Sequence, residues 1–158
     1  YEEIINFENS ITGVEDYYIY RFNDELIQEI YDSNKSNFND FWTPLNNCIF
    51  IREENGMLIK AQGNDPYFES VFSMDFKENE LVMLKIIMDS EVESFLQIYY
   101  KFLNKNYSEN SSNKFLVDKG ENIILAIIPD PENIEKIRID PVAINNDCLI
   151  KEIKILKK

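Results

Sequence analysis

From Trp42 to the C-terminus, apolar residues return at every second position in short runs separated by polar turns. That period sends alternate side chains to opposite faces of an extended strand, and a helix with 3.6 residues per turn does not sort them this way. NCIFIRE (47–53) and GMLIKAQ (56–62) flank a Glu-Glu-Asn-Gly turn, in which Asn55-Gly56 signals a hairpin. PYFESVFSMDF (66–76), LVMLKIIMD (81–89) and FLQIYYKF (95–102) carry the pattern forward. KFLVD (114–118), NIILAIIP (122–129), IEKIRID (134–140) and CLIKEIKIL (148–156) complete it. About nine short strands, joined mostly by polar turns, predict an all-β antiparallel sandwich or barrel. NIILAIIP is apolar on both sides, which predicts a central strand covered on both faces, or one end of a sandwich beneath the N-terminal segment. With only 4 glycines, asparagine has to supply many of the turn conformations, because it tolerates left-handed backbone angles. The Ser- and Asn-rich stretch NKNYSENSSNK (104–114) reads as an exposed loop.

The one helical pattern follows YYIYRF (17–22). In NDELIQEIYDSN (23–34), Asn23 or Asp24 can cap, Glu25 suits the first turn, and Leu26, Ile27, Ile30 and Tyr31 share a face. NKSNFNDF (34–41) reads as a linker and places a boundary near residue 37. The expected organisation is a short N-terminal helical appendage over 1–36 and a β-domain over 37–158. The chain opens at Tyr1 without an initiator Met, so either a piece of a longer protein or a processed chain is expected, which leaves room for an activity in a missing neighbour.

A length of 158 residues holds one ordinary domain with a sizeable core. Its 29 acidic against 16 basic residues leave a formal charge of -13, which repels phosphate backbones and anionic membrane surfaces. No basic stripe overrides that field, so no nucleic-acid partner is expected. No apolar run approaches the roughly 20 residues that span a bilayer, so no membrane insertion is expected either. Histidine is absent, which removes Ser-His-Asp and Cys-His catalysis and His-ligated metals from this chain. Cys48 and Cys148 lack CxxC spacing, so a thiolate zinc site is also out. Oxygen-ligand calcium sites stay open. The Asn-x-Ser triplets at Asn34, Asn106 and Asn110 matter only in a secreted eukaryotic protein.

The C-terminal stretch IRIDPVAINNDCLIKEIKIL (137–156) carries the most specific local information. Ile137 and Ile139 share one face of a strand, while Lys136, Arg138 and Asp140 share the other. Pro141 cannot donate to a β-ladder, so the strand should stop there. Asn145-Asn146-Asp147 then turns the chain into a second strand. Ile150 is out of step with Ile153, which predicts a bulge near Lys151. The plain reading is a hairpin in which Asp140 satisfies turn amides or pairs with Arg138 or another cation; the sharper one is a charged ligand site.

A strand ending IRIDP, a short turn and a strand ending IKEIKIL resemble the C-terminal hairpin of galactose-binding-like β-sandwich domains. The likeness is to carbohydrate-binding-module-like accessory domains attached to bacterial glycosyltransferases. GMLIKAQGNDPYF (56–68) is similar to that family's strand-Gly-Asp-Pro-aromatic pattern, and FLQIYYKF (95–102) to its middle strand with a tyrosine pair. The resemblance covers roughly residues 42–156. It implies a jelly-roll-like β-sandwich, a non-catalytic role and a carbohydrate ligand, with other domains of the parent chain as partners. The compartment would be cytoplasmic beside a glycosyltransferase and extracellular beside a hydrolase. In sandwiches of this type the first and last strands pair, which would bring Cys48 near Cys148; a disulfide there competes with two free buried thiols. The alternatives are a structural or protein-docking domain without a sugar ligand, and a small glycoside hydrolase acting through two acidic residues.

A sugar ring presents C–H faces bordered by hydroxyls, so its site needs an aromatic plane beside amides, carboxylates or Arg. In LQIYYKF, Leu96, Ile98, Tyr100 and Phe102 share one face and Gln97, Tyr99 and Lys101 the other, which makes Tyr99 the candidate platform. An ordinary cross-strand pair is the competing role for Tyr99. Tyr67 and Phe68 point oppositely; Phe68 aligns with Phe72 as core, leaving Tyr67 outward. Trp42 either closes the end of the core or meets a ligand. Arg138 joins these as a carbohydrate-binding candidate. Asp65 and Asp140 are weak calcium candidates, each competing with an ordinary solvated turn.

Overall fold

The computed structural model describes residues 27–71, 75–142 and 145–158. In chain order the strands are β1 (Gln28–Asp32), β2 (Trp42–Asn46), β3 (Cys48–Glu53), β4 (Gly56–Ala61), β5 (Tyr67–Ser70) and β6 (Val82–Ser90). They continue with β7 (Ser94–Phe102), β8 (Ser112–Val117), β9 (Gly120–Ile127), β10 (Ile134–Asp140) and β11 (Cys148–Lys157). One helical turn, α1 (Phe38–Phe41), precedes β2. One sheet runs β3-β4-β11-β6-β9, with β1 paired to β11 beside that path, and the other runs β2-β5-β10-β7-β8. The pairings are antiparallel throughout. Two antiparallel sheets around one core give the expected β-sandwich.

Alternation builds that core. In β6, Val82, Leu84, Ile86 and Met88 are buried, with partly exposed residues between them. They face Leu96, Ile98 and Tyr100 of β7 and Ile137 and Ile139 of β10 across the sandwich, all in one cluster. In β11 the register shifts between Ile150 and Glu152, so the bulge forms at Lys151 as the spacing required. It resets the parity and lets Ile150, Ile153 and Ile155 all point inward. Among the described residues, the non-glycine positions with positive φ are Asn47, Asp65, Asn79, Asn104 and Asp130, the residue types that tolerate this region.

One end of the sandwich is closed by aromatic rings. Phe38 and Phe41 of α1 are buried and bring Trp42 in behind them. Phe41 stacks on Tyr31 at 4.1 Å between centroids, Phe38 meets Phe50 edge-on at 5.0 Å, and Trp42 meets Phe68 edge-on at 5.4 Å. Offset and edge-on contacts of this kind suit the ring quadrupole.

Five expectations need correction. The helix expected over 23–34 gives way over Gln28–Asp32 to strand β1, paired from Gln28↔Lys157 to Asp32↔Lys154; the capping residues 23–26 lie outside the described residues. A twelve-residue amphipathic pattern is marginal as an isolated helix, and the free edge of β11 offers ladder bonds instead. Ser33 extends the attachment, donating its amide to the Ile153 carbonyl and accepting the Ile153 amide on its hydroxyl. The expected linker 34–41 holds α1, and β2 follows it. β10 and β11 are not a hairpin: β10 lies in one sheet and β11 in the other, with Pro141 and buried Val142 on the crossing between them. β9 is an edge strand rather than a central one, so Ile123 and Ile127 stay 63% and 44% exposed. Among the described residues of the expected strand 66–76, only Tyr67–Ser70 is strand; residues 72–74, Phe72 included, lie outside the described residues.

Three stability predictions follow from this packing. Gly56 has φ +154, and a Cβ there would stand 2.2 Å from the Ile150 carbonyl oxygen, against the bulge of β11. Gly56→Ala should lower unfolding free energy by about 3 kcal/mol in urea titration. Gly120→Ala, at φ +102 with open space around it, should cost about 1 kcal/mol from backbone conformation alone. Burial raises the Asp32 carboxyl, but the Asn34 amide and the Lys154 ammonium outweigh it and hold the group below the ordinary carboxylate range. Its stabilisation is therefore present above the unfolded value of about 3.9 and lost as pH falls through the lower folded value. Asp32→Asn should lower the unfolding midpoint at pH 7 and flatten its decline below about pH 4.

Candidate functional site

The outward face of the β2-β5-β10-β7-β8 sheet gathers most of the expected site residues. β7 sends Phe95, Gln97, Tyr99 and Lys101 outward, and β10 sends Lys136, Arg138 and Asp140 the same way. The register sets Arg138 opposite Tyr99, Asp140 opposite Gln97 and Lys136 opposite Lys101. On the far side of β10, Arg138 pairs with Glu69 of β5. Tyr67 enters from β5, with its neighbour Phe68 fully buried as parity predicts.

Arg138 organises this surface. Its Nε and Nη2 donate to the two carboxylate oxygens of Asp140 at 2.6 Å each, a bidentate pair within one strand. The guanidinium lies 3.5 Å from the centroid of the Tyr67 ring and 4.9 Å from that of Tyr99. Planar, weakly hydrated guanidinium stacks flat on such rings more readily than an ammonium. Asp65 stands 3.8 Å away at the rim and is 63% exposed. Burial pushes the Asp140 carboxyl up against the opposing pull of Arg138.

The loop expected to be merely exposed folds back over the same face. Its 3-10 turn, Glu109–Ser111, places Glu109 so that it accepts the Tyr99 hydroxyl at 2.6 Å and the Gln97 amide at 2.7 Å. Tyr107 donates its hydroxyl to Glu69 at 2.9 Å and meets Tyr99 edge-on at 6.4 Å. Glu69 also binds Lys136, and Glu135 binds Lys101 at 2.9 Å, so the two facing lysines are each neutralised. Burial and then Glu109 raise the Tyr99 hydroxyl well above its ordinary value; burial and then Glu69 do the same to Tyr107. Both hydroxyls therefore stay protonated donors across the physiological range.

Tyr99, Gln97, Lys101, Tyr67 and Arg138 thus share one surface, and Trp42 does not. Trp42 is fully buried in the aromatic end of the core, because α1 folds over it, so it offers no face to a ligand. Tyr99 is placed as expected but is only 9% exposed, enclosed by Arg138, Tyr107 and the turn at Glu109. The open ring on this face is Phe95, 43% exposed, with the Lys114 ammonium 4.4 Å from its centroid. Phe95, Glu69, Tyr107 and Glu109 were missed by sequence reasoning. Extending the β7 parity two residues back finds Phe95, and Tyr107 is the one aromatic in a Ser- and Asn-rich stretch; nothing local marks the two glutamates.

The calcium candidates are otherwise engaged. A guanidinium separates Asp65 from Asp140, and Asp147 accepts the Ala61 amide at 2.9 Å. Among the described residues no group of three or more His, Cys, Asp or Glu side chains is arranged to hold a metal ion. Cys48 and Cys148 are buried and free; the Cys48 thiol lies 3.2 Å from the Tyr67 carbonyl oxygen.

No family model matches the chain, and no curated protein matches it. Solved structures do. A Clostridium thermocellum endo-1,4-β-D-xylanase 10B fragment, holding a family 22 carbohydrate-binding module and a glycoside hydrolase module with xylohexaose, aligns at TM-score 0.53 and 17% identity. That match covers 75% of this chain and 26% of that one. A family 29 carbohydrate-binding module from Piromyces equi aligns at TM-score 0.51 and 10% identity over 75% of this chain and 81% of that one. A family 15 xylan-binding module aligns at TM-score 0.51 and 11% identity over 83% of this chain and 95% of that one. At these identities the likeness establishes a shared fold: this chain has the β-sandwich of carbohydrate-binding modules.

Proposed function

We propose that this chain is a non-catalytic carbohydrate-binding module that grips a neutral oligosaccharide on the outward face of the β2-β5-β10-β7-β8 sheet. The observation that carries this reading is a strip of planar groups, the open Phe95 ring and the Arg138–Tyr67 stack, edged by amides and carboxylates. Planar apolar surface takes the C–H faces of sugar rings, while the bonds that now tie Gln97, Glu109 and Asp140 to one another or to neighbours can be exchanged for bonds to the hydroxyls. The formal charge of -13 favours a neutral chain over a uronate-rich or sulfated one. The carboxylates here are engaged, Asp140 by Arg138, Glu69 by Lys136 and Tyr107, Glu135 by Lys101, which supports binding over acid–base hydrolysis. Attachment to a glycan-active parent belongs to the same proposal. The xylanase module beside the Clostridium thermocellum neighbour supports a glycan-degrading parent, and nothing among the neighbours supports the glycosyltransferase that the sequence resemblance implied.

A second reading, a docking domain with no sugar ligand, is favoured by one feature. Edge strand β9 leaves Ile123 and Ile127 open on the outer face of the other sheet, beside Ile87 and Met83. Burial of that strip by an adjoining domain of the parent would slow hydrogen exchange along β9 in the full polypeptide and leave the isolated domain without any glycan ligand.

The deciding measurement is an NMR titration with xylohexaose and cellohexaose, run beside a glycan-array screen. Shifts confined to β5, β7, β8 and β10, weakened about tenfold in Tyr67→Ala and in Arg138→Ala, are the expected result. Absence of binding across the array, or binding untouched by both substitutions in folded protein, overturns the assignment.

A further inference from the structure

The connection between β7 and β8 is longer than its strands require. They pair from Ser94↔Val117 to Tyr99↔Ser112, and there the ladder stops, although β7 runs on to Phe102. Continued in the same register, it would set Ser111 opposite Tyr100, Asn110 opposite Lys101 and Glu109 opposite Phe102. A further pair, Leu103 with Ser108, would leave Asn104-Lys105-Asn106-Tyr107 as the turn, within the roughly 2–5 residues that close most β-hairpins. No proline interrupts residues 100–111, and Asn104 already holds a left-handed φ of 59. The chain instead leaves the sheet edge and lies over the outward face. A half-open depression of about 340 Å³ remains beside the unzipped edge, walled in part by Tyr100 and Phe102 on one side and Asn110 to Asn113 on the other.

Side chains hold the turn in that place. Its backbone bonds are local, from the Lys105 amide to the Phe102 carbonyl and from the Ser111 amide to the Ser108 carbonyl. None of its 3-10 residues is buried. Glu109 accepts the Tyr99 hydroxyl on one carboxylate oxygen and the Gln97 amide on the other, and Tyr107 donates to Glu69. The phenol, the amide and the carboxylate gripped in this way are all groups that hydrogen-bond a sugar hydroxyl. The turn therefore occupies the face as a ligand would, and it leaves Tyr99 only 9% exposed.

We propose that residues 103–111 form a two-position strap, closed over Tyr99 in this structure and, in its other position, zipped onto the free edge of Tyr100 to Phe102, where it uncovers a third sugar platform. This inference rests on the outward-face reading and adds the regulation of that site. Zipping takes Glu109 off the face and turns the Tyr99 hydroxyl and the Gln97 amide over to the sugar. Tyr99 stands between Phe95 on its own strand and Arg138 opposite it, so its uncovered ring joins the planar groups into one strip. Ladder bonds gained along β7 offset the side-chain bonds released, as a two-position element requires. The closed strap lowers apparent affinity in proportion to the fraction of chains that are open.

The test is an NMR titration with xylohexaose and cellohexaose of the unsubstituted chain, Glu109→Ala and Tyr107→Ala. Each substitution removes one tie of the strap and should tighten binding about fivefold. Tyr99→Ala placed in the Glu109→Ala chain should remove that gain and weaken binding about tenfold. In the saturated, unsubstituted chain, cross-strand Overhauser contacts between Lys101 and Asn110 should appear that the free protein lacks. Weaker or unchanged binding in both strap variants overturns the proposal, as do shifts confined to the strands with residues 105–111 unmoved. In either case, weakened binding in Tyr67→Ala and Arg138→Ala still upholds the outward-face reading. Failure of every form, Glu109→Ala included, to bind either hexasaccharide or any glycan of the array sinks both.

Discussion

The architecture depends on β11 and on the one-residue bulge that interrupts it. This ten-residue strand pairs with β4 and β1 along one edge and β6 along the other, so every other member of its sheet is attached through it or through a neighbour it holds. Without the bulge at Lys151, the inward row would change sides halfway along and half its isoleucines would face water. Gly56 allows β4 to approach the bulge closely, and Ser33 locks β1 beyond it. A single backbone irregularity thus lets a chain with imperfect alternation keep one continuous core.

Local periodicity revealed most of the strands and long-range partnership did not. The limits of β10, the bulge, the inward members of β7 and the use of Asn and Asp in left-handed turns all follow from rules acting over a few residues. The errors concern which segments meet. Alternation in β10 and β11 is the same whether they form a hairpin or cross between layers. Apolar residues on both faces of β9 read as double coverage, yet its outer isoleucines are simply left open at an edge. The 23–34 pattern suits a helix locally, but β11 supplies a hydrogen-bonding partner that no local rule can see.

The outward face shows the same division. Strand parity was enough to put Gln97, Tyr99 and Lys101 on one side and Arg138 and Asp140 on a matching side of another strand. It could not show that Arg138 would stack on Tyr67, or that residues 107–109 would return to cover Tyr99, because both depend on a loop path. The surface that results is internally satisfied: nearly every charge named there already has an opposite neighbour. An incoming glycan would exchange hydrogen bonds rather than gain unopposed ones, so its affinity would come chiefly from planar contact and displaced water.

The open flank at β9 carries one further consequence. A long apolar edge is a template for association with another copy, and natural sheets guard such edges with charge. Here the guard is diffuse, residing in an excess of 29 carboxylates over 16 cations spread across the chain. Acidic surroundings that neutralise those carboxylates would remove colloidal repulsion while leaving Ile123 and Ile127 bare. The soluble range of this domain should therefore end on its acid side through self-association, before the sandwich itself comes apart.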